Sequence, residues 1–303
     1  MGSMQGKVAL VTGGGRGVGR AIAEALARAG ASVALVARTA SELEATAEGI
    51  IESGGRAVSI PADVTEERAV SRLVAEAGLE LGRPTLLVNA AGSWTHVGPV
   101  EKADPQAWWR DVEVSLKGTF LCTRAVLPSM LAEGRGRLIN VSSYAGVIPR
   151  PYATGYASAK AAVLRFSDSL AAELEGRGVL VFAITPGFVR TRLIEEVASS
   201  KAGNTFLADL SQRDDAVEPE QAGRLVVSIA SGRLDMLAGR FLHVLDDLDD
   251  LVRRADEIRE RDLYTLRLKI DSNGRRSAYE DQPLPEDRAS HASGADGPVS
   301  DAV

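Results

Sequence analysis

The stretch Val8–Gly30, "VALVTGGGRGVGRAIAEALARAG", decides how this chain is read. A short apolar strand runs into a glycine-dense turn and opens a helix at Gly17 to Arg20. Glycine lets the backbone turn sharply and come close to a ligand. The free N–H groups at a helix start favour an anion, phosphate above all. The spacing is TGxxxGxG, with Thr12, Gly13, Gly17 and Gly19, rather than the GxGxxG of the common dinucleotide fingerprint. The stretch reads as a cofactor cradle, with a plain tight turn as the alternative.

The pattern repeats outward. "SVALVA" precedes "SELEATAEGIIESG", "AVSIPAD" precedes "EERAVSRLVAEAG", and "TLLVNAAG" precedes "WWRDVEVSLKGTFLCTRAVLPSML". "GRLINVSS" and "VLVFAITPG" continue the series. Strands nearly continuous in Val, Ile and Leu, separated by helices, predict a parallel sheet covered on both faces, a doubly wound α/β plan. Ligands in such folds bind beyond the carboxyl ends of the strands, where each candidate motif falls. From Gly187 to Glu218 the pattern loosens into loop and short helix; "EPEQAGRLVVSIASG" is then helical and "GRFLHVL" a last short strand. In "DDLDDLVRRADEIRERD", Leu248, Leu251, Val252, Ala255 and Ile258 recur at helical spacing. The domain plan is therefore a cloning scar and lead at 1–5, one domain over 6–270 with a helical extension at about 246–270, and a tail at 271–303. That tail is too poor in apolar residues to order.

Composition removes whole classes. Thirty-five Lys and Arg against 41 Asp and Glu give a net charge of -6, with no basic run to track nucleic acid. The single cysteine, Cys122, excludes an intramolecular disulfide framework, and His96, His243 and His291 are scattered, so no metal is expected. No apolar run approaches the roughly 18 residues needed to cross a bilayer, and no signal peptide leads the chain, so no membrane is expected and the cytoplasm is the default location.

"GYASAKAAVLRF", Gly155–Phe166, puts Tyr156 and Lys160 four positions apart, on one face if helical. An ammonium near a phenol favours the phenolate and lowers its pKa, which suits proton transfer. Two surface polar residues on an amphipathic helix are the plain alternative. After the second strand, where many dinucleotide folds carry an acid for the ribose 2′-hydroxyl, this chain has Ala37 and Arg38. Arg38, with Arg16 and the Thr39 hydroxyl, suits a 2′-phosphate instead.

Taken in order, the glycine turn, "NAAG", "NVSS", YxxxK and "PGFVRT" make the sequence resemble the short-chain dehydrogenase/reductase family across roughly residues 6–245. The resemblance implies a single Rossmann-like domain, hydride transfer between a nicotinamide cofactor and a carbonyl or alcohol, and pairing into a homodimer or homotetramer. It implies cofactor contacts from Gly13, Gly15, Arg16, Gly17, Val18 and Gly19, then Arg38, Thr39, Asp63 and Val64, with Asp63 at the adenine. Further contacts are implied from Asn89, Ala90, Gly92, Tyr156 and Lys160, and from Pro186, Gly187, Val189 and Thr191. Ser143, thirteen residues before Tyr156, takes the place of the serine that binds the substrate carbonyl, with Ser142 as its structural partner. Tyr156 is then the proton donor or acceptor, and Lys160 lowers its pKa and bonds the nicotinamide ribose.

Two positions depart from the family. Ala90 replaces the second asparagine of NNAG. Ser115 stands where the family usually has the asparagine of its catalytic set; serine still donates and accepts, but is shorter. Aromatic and polar residues in the loops, Trp94, His96, Tyr144, Tyr152 and Phe188, suit a bulky, partly apolar ketone, with ordinary packing as the alternative. The leading expectation is an NADPH-dependent ketoreductase preferring NADP(H) over NAD(H). The rivals are an epimerase or dehydratase without net redox change, and a catalytically weak cofactor-binding protein.

Overall fold

The structure, a computed structural model, describes residues 4–267. Its first half runs β1 (Val8–Thr12), α1 (Gly17–Arg28), β2 (Ser32–Ala37), α2 (Ala40–Glu52), β3 (Arg56–Pro61), α3 (Glu67–Leu81) and β4 (Leu86–Asn89). Next, α4 (Pro105–Val112) passes through a π-helical stretch, Glu113–Lys117, into α5 (Gly118–Ala132). β5 (Gly136–Val141), α6 (Thr154–Glu173) and β6 (Val179–Thr185) follow. The loosely patterned region holds three short helices, α7 (Arg192–Ser199), α8 (Lys201–Phe206) and α9 (Asp209–Gln212). α10 (Glu220–Ala230), β7 (Phe241–His243), α11 (Leu248–Arg253) and α12 (Ala255–Glu260) complete the described chain.

The seven strands form one parallel sheet in the order β3-β2-β1-β4-β5-β6-β7. The doubly wound Rossmann-like expectation is met. The order reverses between β1 and β4, which leaves a crevice beyond their carboxyl ends, where α/β sheets bind ligands.

Every residue of β1 is buried, and its side chains alternate between two cores. Ala9 and Val11 join Ile22 and Leu26 of α1 and Leu225 and Val226 of α10, whereas Val8 and Leu10 meet Val70 and Leu73 of α3 and Leu121 and Val126 of α5. A strand covered on both faces has no polar side to show, which is why its sequence is continuously apolar. Leu10, Ile22 and Leu26 have no exposed surface, and burying each such side chain contributes roughly 1.5–3 kcal/mol.

The helical extension is two short helices rather than one. Asp247 caps α11 by accepting from the N–H groups of Asp249 and Asp250. Leu251, Ala255 and Ile258 are buried in the α1 and α10 core, and the Phe241 N–H donates to the Tyr264 carbonyl at 2.8 Å. The segment after α12 thus occupies an N–H at the edge of β7 that would otherwise be open to another strand. The proposed tail at 271–303, the end of the extension beyond 267 and residues 1–3 lie outside the described residues.

Candidate active site

The glycine turn is built by close approach. Gly13 and Gly17 have φ of +68 and +55, which L side chains rarely adopt, and a Cβ on Gly19 would lie 2.2 Å from the Gly13 carbonyl oxygen. A Cβ on Gly13 would lie 2.9 Å from the Ala91 nitrogen, so the β1 turn and the β4 turn touch across the crevice. Thr12 Oγ1 joins them by accepting from the N–H groups of Ala90 and Ala91, each at 3.1 Å. Arg16, the N-cap of α1, makes no side-chain capping bond, and no acid stands in the first turn. That helix start is an anion site by geometry and by dipole. The cradle fits a dinucleotide pyrophosphate, since added Cβ atoms would fill the space the backbone leaves.

A cavity of about 490 Å³ extends from this turn, within the range of small-molecule sites. Of the residues assigned to the cofactor, Gly13, Gly15, Arg16, Gly17, Val18 and Gly19 line it, with Arg38, Thr39, Asp63 and Val64. Ala90 and Gly92 line it from the β4 turn, and Pro186, Gly187, Val189 and Thr191 from the β6 turn. Ser143, Tyr156 and Lys160 line the same cavity.

Asn89 does not. Its amide nitrogen donates to Asn140 Oδ1 at 2.9 Å and to Thr123 Oγ1 at 3.3 Å, so its side chain ties β4 to β5 and α5. Ser115 is also absent from the lining. It lies buried in the π-helical stretch, its carbonyl accepting from Thr119 Oγ1 and its own Oγ without a partner among the described residues. Two expected pocket residues are likewise placed elsewhere. His96 is buried with Nε2 unpartnered among the described residues, and Tyr152, at φ 65, packs its ring at a tilt against Phe206, centroids 4.7 Å apart, instead of lining the cavity. Trp94, Tyr144 and Phe188 do line it.

α6 presents Tyr156 and Lys160 on one face, and both are buried. Ser142 Oγ donates to the Lys160 carbonyl at 2.8 Å, which fixes the helix to the end of β5, as expected of a structural partner. Ser143 accepts from the Ala145 N–H at 3.2 Å and so holds the turn that carries it. Lys160 Nζ donates to the Val141 carbonyl at 2.9 Å and stands 5.7 Å from the Tyr156 ring centroid. Burial pulls the Lys160 pKa down to about 8. Burial also raises that of Tyr156, against a hydrogen bond from Ser143 and with help from the Asp111 charge. Desolvation is the first cause for both groups, and the Tyr156 pKa lies above rather than below its ordinary value.

Other cavity residues had no signature in the sequence. Arg110, on α4, pairs with Asp63 at 2.9 Å, and Thr65 donates to the same carboxylate through both N–H and hydroxyl. Although burial works against them, these bonds hold the Asp63 pKa down to about 2. Glu42 on α2 meets Arg16 at 3.6 Å and Arg192 at 3.3 Å, while Arg38 is in no ion pair among the described residues. The Arg213 guanidinium lies 4.2 Å from the Phe188 ring centroid. Arg192 and Arg213 come from the irregular region, where periodicity offers no guide. Arg110 was findable only as a basic residue on a helix-patterned segment.

Among the described residues no three His, Cys, Asp or Glu side chains group as a metal site, and no helix is long and apolar enough to cross a membrane. Cys122 is buried, and burial pushes its thiol up to about 12, which disfavours the thiolate.

Comparison with known proteins converges on one kind of molecule. The family model described as short chain dehydrogenase matches residues 7–202. A short chain dehydrogenase of Pseudocercospora fijiensis is 38% identical over 265 residues, 84% of this chain and 85% of that protein. The short-chain reductase protein NovJ of Streptomyces niveus is 40% identical, over 79% of this chain and 93% of its own length. A 3-oxoacyl-[acyl-carrier-protein] reductase of Synechocystis is 37% identical, over 65% and 80%. Among solved structures, a Beutenbergia cavernae protein provisionally assigned as an NAD(P) dependent gluconate 5-dehydrogenase, with NADP bound at low occupancy, superposes with a TM-score of 0.72. It is 31% identical, over 80% of this chain and 96% of that one.

Proposed function

This chain belongs to the short chain dehydrogenase family of NAD(P)-dependent oxidoreductases, and we propose that it is an NADPH-dependent ketoreductase acting on a bulky, partly apolar carbonyl substrate. The observation that carries the proposal is the sharing of one cavity by the glycine cradle, Arg38 and the Ser143, Tyr156 and Lys160 set. Arg38, in no ion pair among the described residues, stands beside Thr39, whose hydroxyl makes no capping bond to α2. These two residues, with Arg16, would hold a 2′-phosphate, and the α1 N-terminus the pyrophosphate.

A nicotinamide held in this cavity would supply the hydride, or accept it in the reverse direction. Ser143 holds the carbonyl oxygen and stabilises the negative charge that develops there, an effect of about 3 kcal/mol in comparable oxyanion sites. Tyr156 Oη gives its proton to that oxygen. Its raised pKa keeps the phenol protonated and ready to donate. Lys160, tethered to Val141, offers its remaining ammonium hydrogens to the cofactor ribose. Trp94, Phe188, Leu193 and Ile194 supply apolar lining.

Calorimetric titration with NADPH and NADH, followed by a panel of ketones read by NADPH oxidation, tests the proposal. Tight NADPH binding, weak NADH binding and turnover support it; failure to bind either cofactor overturns it. Product formed without NADPH consumption favours an epimerase or dehydratase. The proposal includes a homodimer or homotetramer, which rests on the family resemblance alone. Light scattering checks this, and a monomer would remove that part.

A further inference from the structure

Asp111 sits on α4 with no exposed surface, yet no cation pairs with it among the described residues. Its neighbour Arg110 turns to Asp63 instead. Burying a carboxylate without a counter-charge is costly unless hydrogen bonds replace the lost water. Here they do. Asp111 Oδ1 accepts from Ser93 Oγ at 3.0 Å and from the Thr95 N–H at 2.7 Å, Oδ2 accepts from the His96 N–H at 3.3 Å, and the single Thr95 hydroxyl proton is shared between Oδ1 and the Ala107 carbonyl, each 2.8 Å away. All four donors belong to Ser93–His96, the segment that leaves the β4 turn.

Trp94 lies in the middle of that segment. Its ring stacks on Tyr156, centroids 4.5 Å apart and planes within 10°. The two side chains are 6% and 9% exposed. Trp94 Nε1 and His96 Nε2 are buried without partners, so the segment's own ring nitrogens do not fix it. The Asp111 carboxylate, the ring stack and the Thr95 hydroxyl's contact with the Ala107 carbonyl remain.

We propose that Asp111 is a positioning residue: it pins Ser93–His96 and so fixes Trp94 as a wall over the Tyr156 ring, leaving the phenol to be approached from its hydroxyl end. The proposal rests on the assignment of Tyr156 as the proton donor. An asparagine at 111 would keep the volume but lose the arrangement. An amide oxygen is a weaker acceptor than the charged carboxylate oxygen that the segment's donors now share, and the amide NH₂ would face the His96 N–H, donor against donor. The negative charge also acts on its neighbour, disfavouring a second anion on Tyr156.

The test is Asp111→Asn in protein labelled with 5-fluorotryptophan, which carries three tryptophans and therefore three fluorine resonances. Trp94→Phe assigns one of them. Asp111→Asn should move or broaden the Trp94 resonance while that of the exposed Trp109 stays in place. It should also lower kcat about tenfold, and less than about twofold once Trp94 is alanine, because residues acting through one another are not additive. An unmoved Trp94 resonance, or an equal loss of kcat in both backgrounds, overturns the proposal. Should Asp111→Asn fail to fold, Ser93→Ala removes a donor that bonds only Asp111 among the described residues and leaves the charge; it should shift the Trp94 resonance the same way, and no shift overturns the proposal. If the parent protein turns over no ketone, the ketoreductase reading fails while the fluorine spectra still decide this one.

Discussion

Lys160 Nζ donates to the Val141 carbonyl, 2.9 Å away, at the last residue of β5. One hydrogen of the ammonium is thereby committed to the sheet, and the charge is held in a buried place that lowers its pKa to about 8. Between pH 8 and the ordinary 10.5, the unfolded chain keeps a proton that the folded chain has released. Stability from this group therefore rises with pH across that window.

Catalysis follows the opposite sense. The ammonium form is the one that serves the cofactor ribose, so kcat/KM for ketone reduction should be level below pH 8 and fall above it. The profile reports the free enzyme's groups. Lys160→Arg, a permanent cation, should push this limb out of the accessible range, and a limb that remains near pH 8 would assign it to another group.

Tyr156→Phe removes a hydroxyl from a ring already packed under Trp94, so the stack and the fold should survive. Loss of general acid catalysis should cost about 10²–10⁴-fold in kcat. NADPH affinity by calorimetry should stay within a small factor of the parent. Full activity in this variant would remove Tyr156 from the chemistry.

Asp63 carries a second pH signature. Its carboxyl is held at about 2 rather than 3.8 by Thr65 and Arg110. A depressed carboxyl stabilises the folded state fully above pH 3.8, and that share is lost as pH falls towards 2. Arg110→Leu removes one of those partners, so stability at pH 7 should fall modestly, the part-exposed pair being screened, and the acid-unfolding midpoint should move to higher pH. An unchanged acid midpoint would show that Thr65 alone holds the carboxyl.

The sheet was legible because fully buried strands have nothing to alternate, so "VALVT" and "SVALVA" stand out against amphipathic helices. The glycine cradle was legible because only glycine tolerates the contact between Gly19 and the Gly13 carbonyl. What stayed hidden was the direction of each side chain at a strand end. Asn89 and Gly92 are three residues apart, yet one sews β4 to β5 and the other lines the cavity. The Tyr156 shift was misread because spacing shows a neighbouring charge and hides the desolvation of both groups. Asp111 was hidden for a related reason: an acid inside an amphipathic helix reads as a solvated face until the loop that covers it is seen.

Arg38→Ala should weaken NADPH binding at least tenfold more than NADH binding, because the only difference between the cofactors is the 2′-phosphate that this guanidinium would meet. Arg38 is exposed and takes part in no ion pair among the described residues, so the fold should be indifferent to its loss. Calorimetry with both cofactors reads the ratio. Equal losses would place the phosphate elsewhere, with Arg16 the next residue to change.

Ser115 sets the last test. Its hydroxyl is buried without a protein partner, in a π-helical stretch that widens the helix between α4 and α5. A buried polar group left unsatisfied costs about 1–3 kcal/mol, so the position is unfavourable for stability unless a water completes it. Retention of such a group is explained if that water passes protons towards Lys160. Ser115→Ala should then raise or preserve the melting temperature, leave NADPH affinity unchanged and lower kcat several-fold. Ser115→Asn, which restores an amide with two donors and an acceptor, should recover kcat if the stretch can admit the larger side chain. If Ser115→Ala keeps full kcat and melts higher, the hydroxyl contributes only its cost, and the proton reaches Tyr156 by another route.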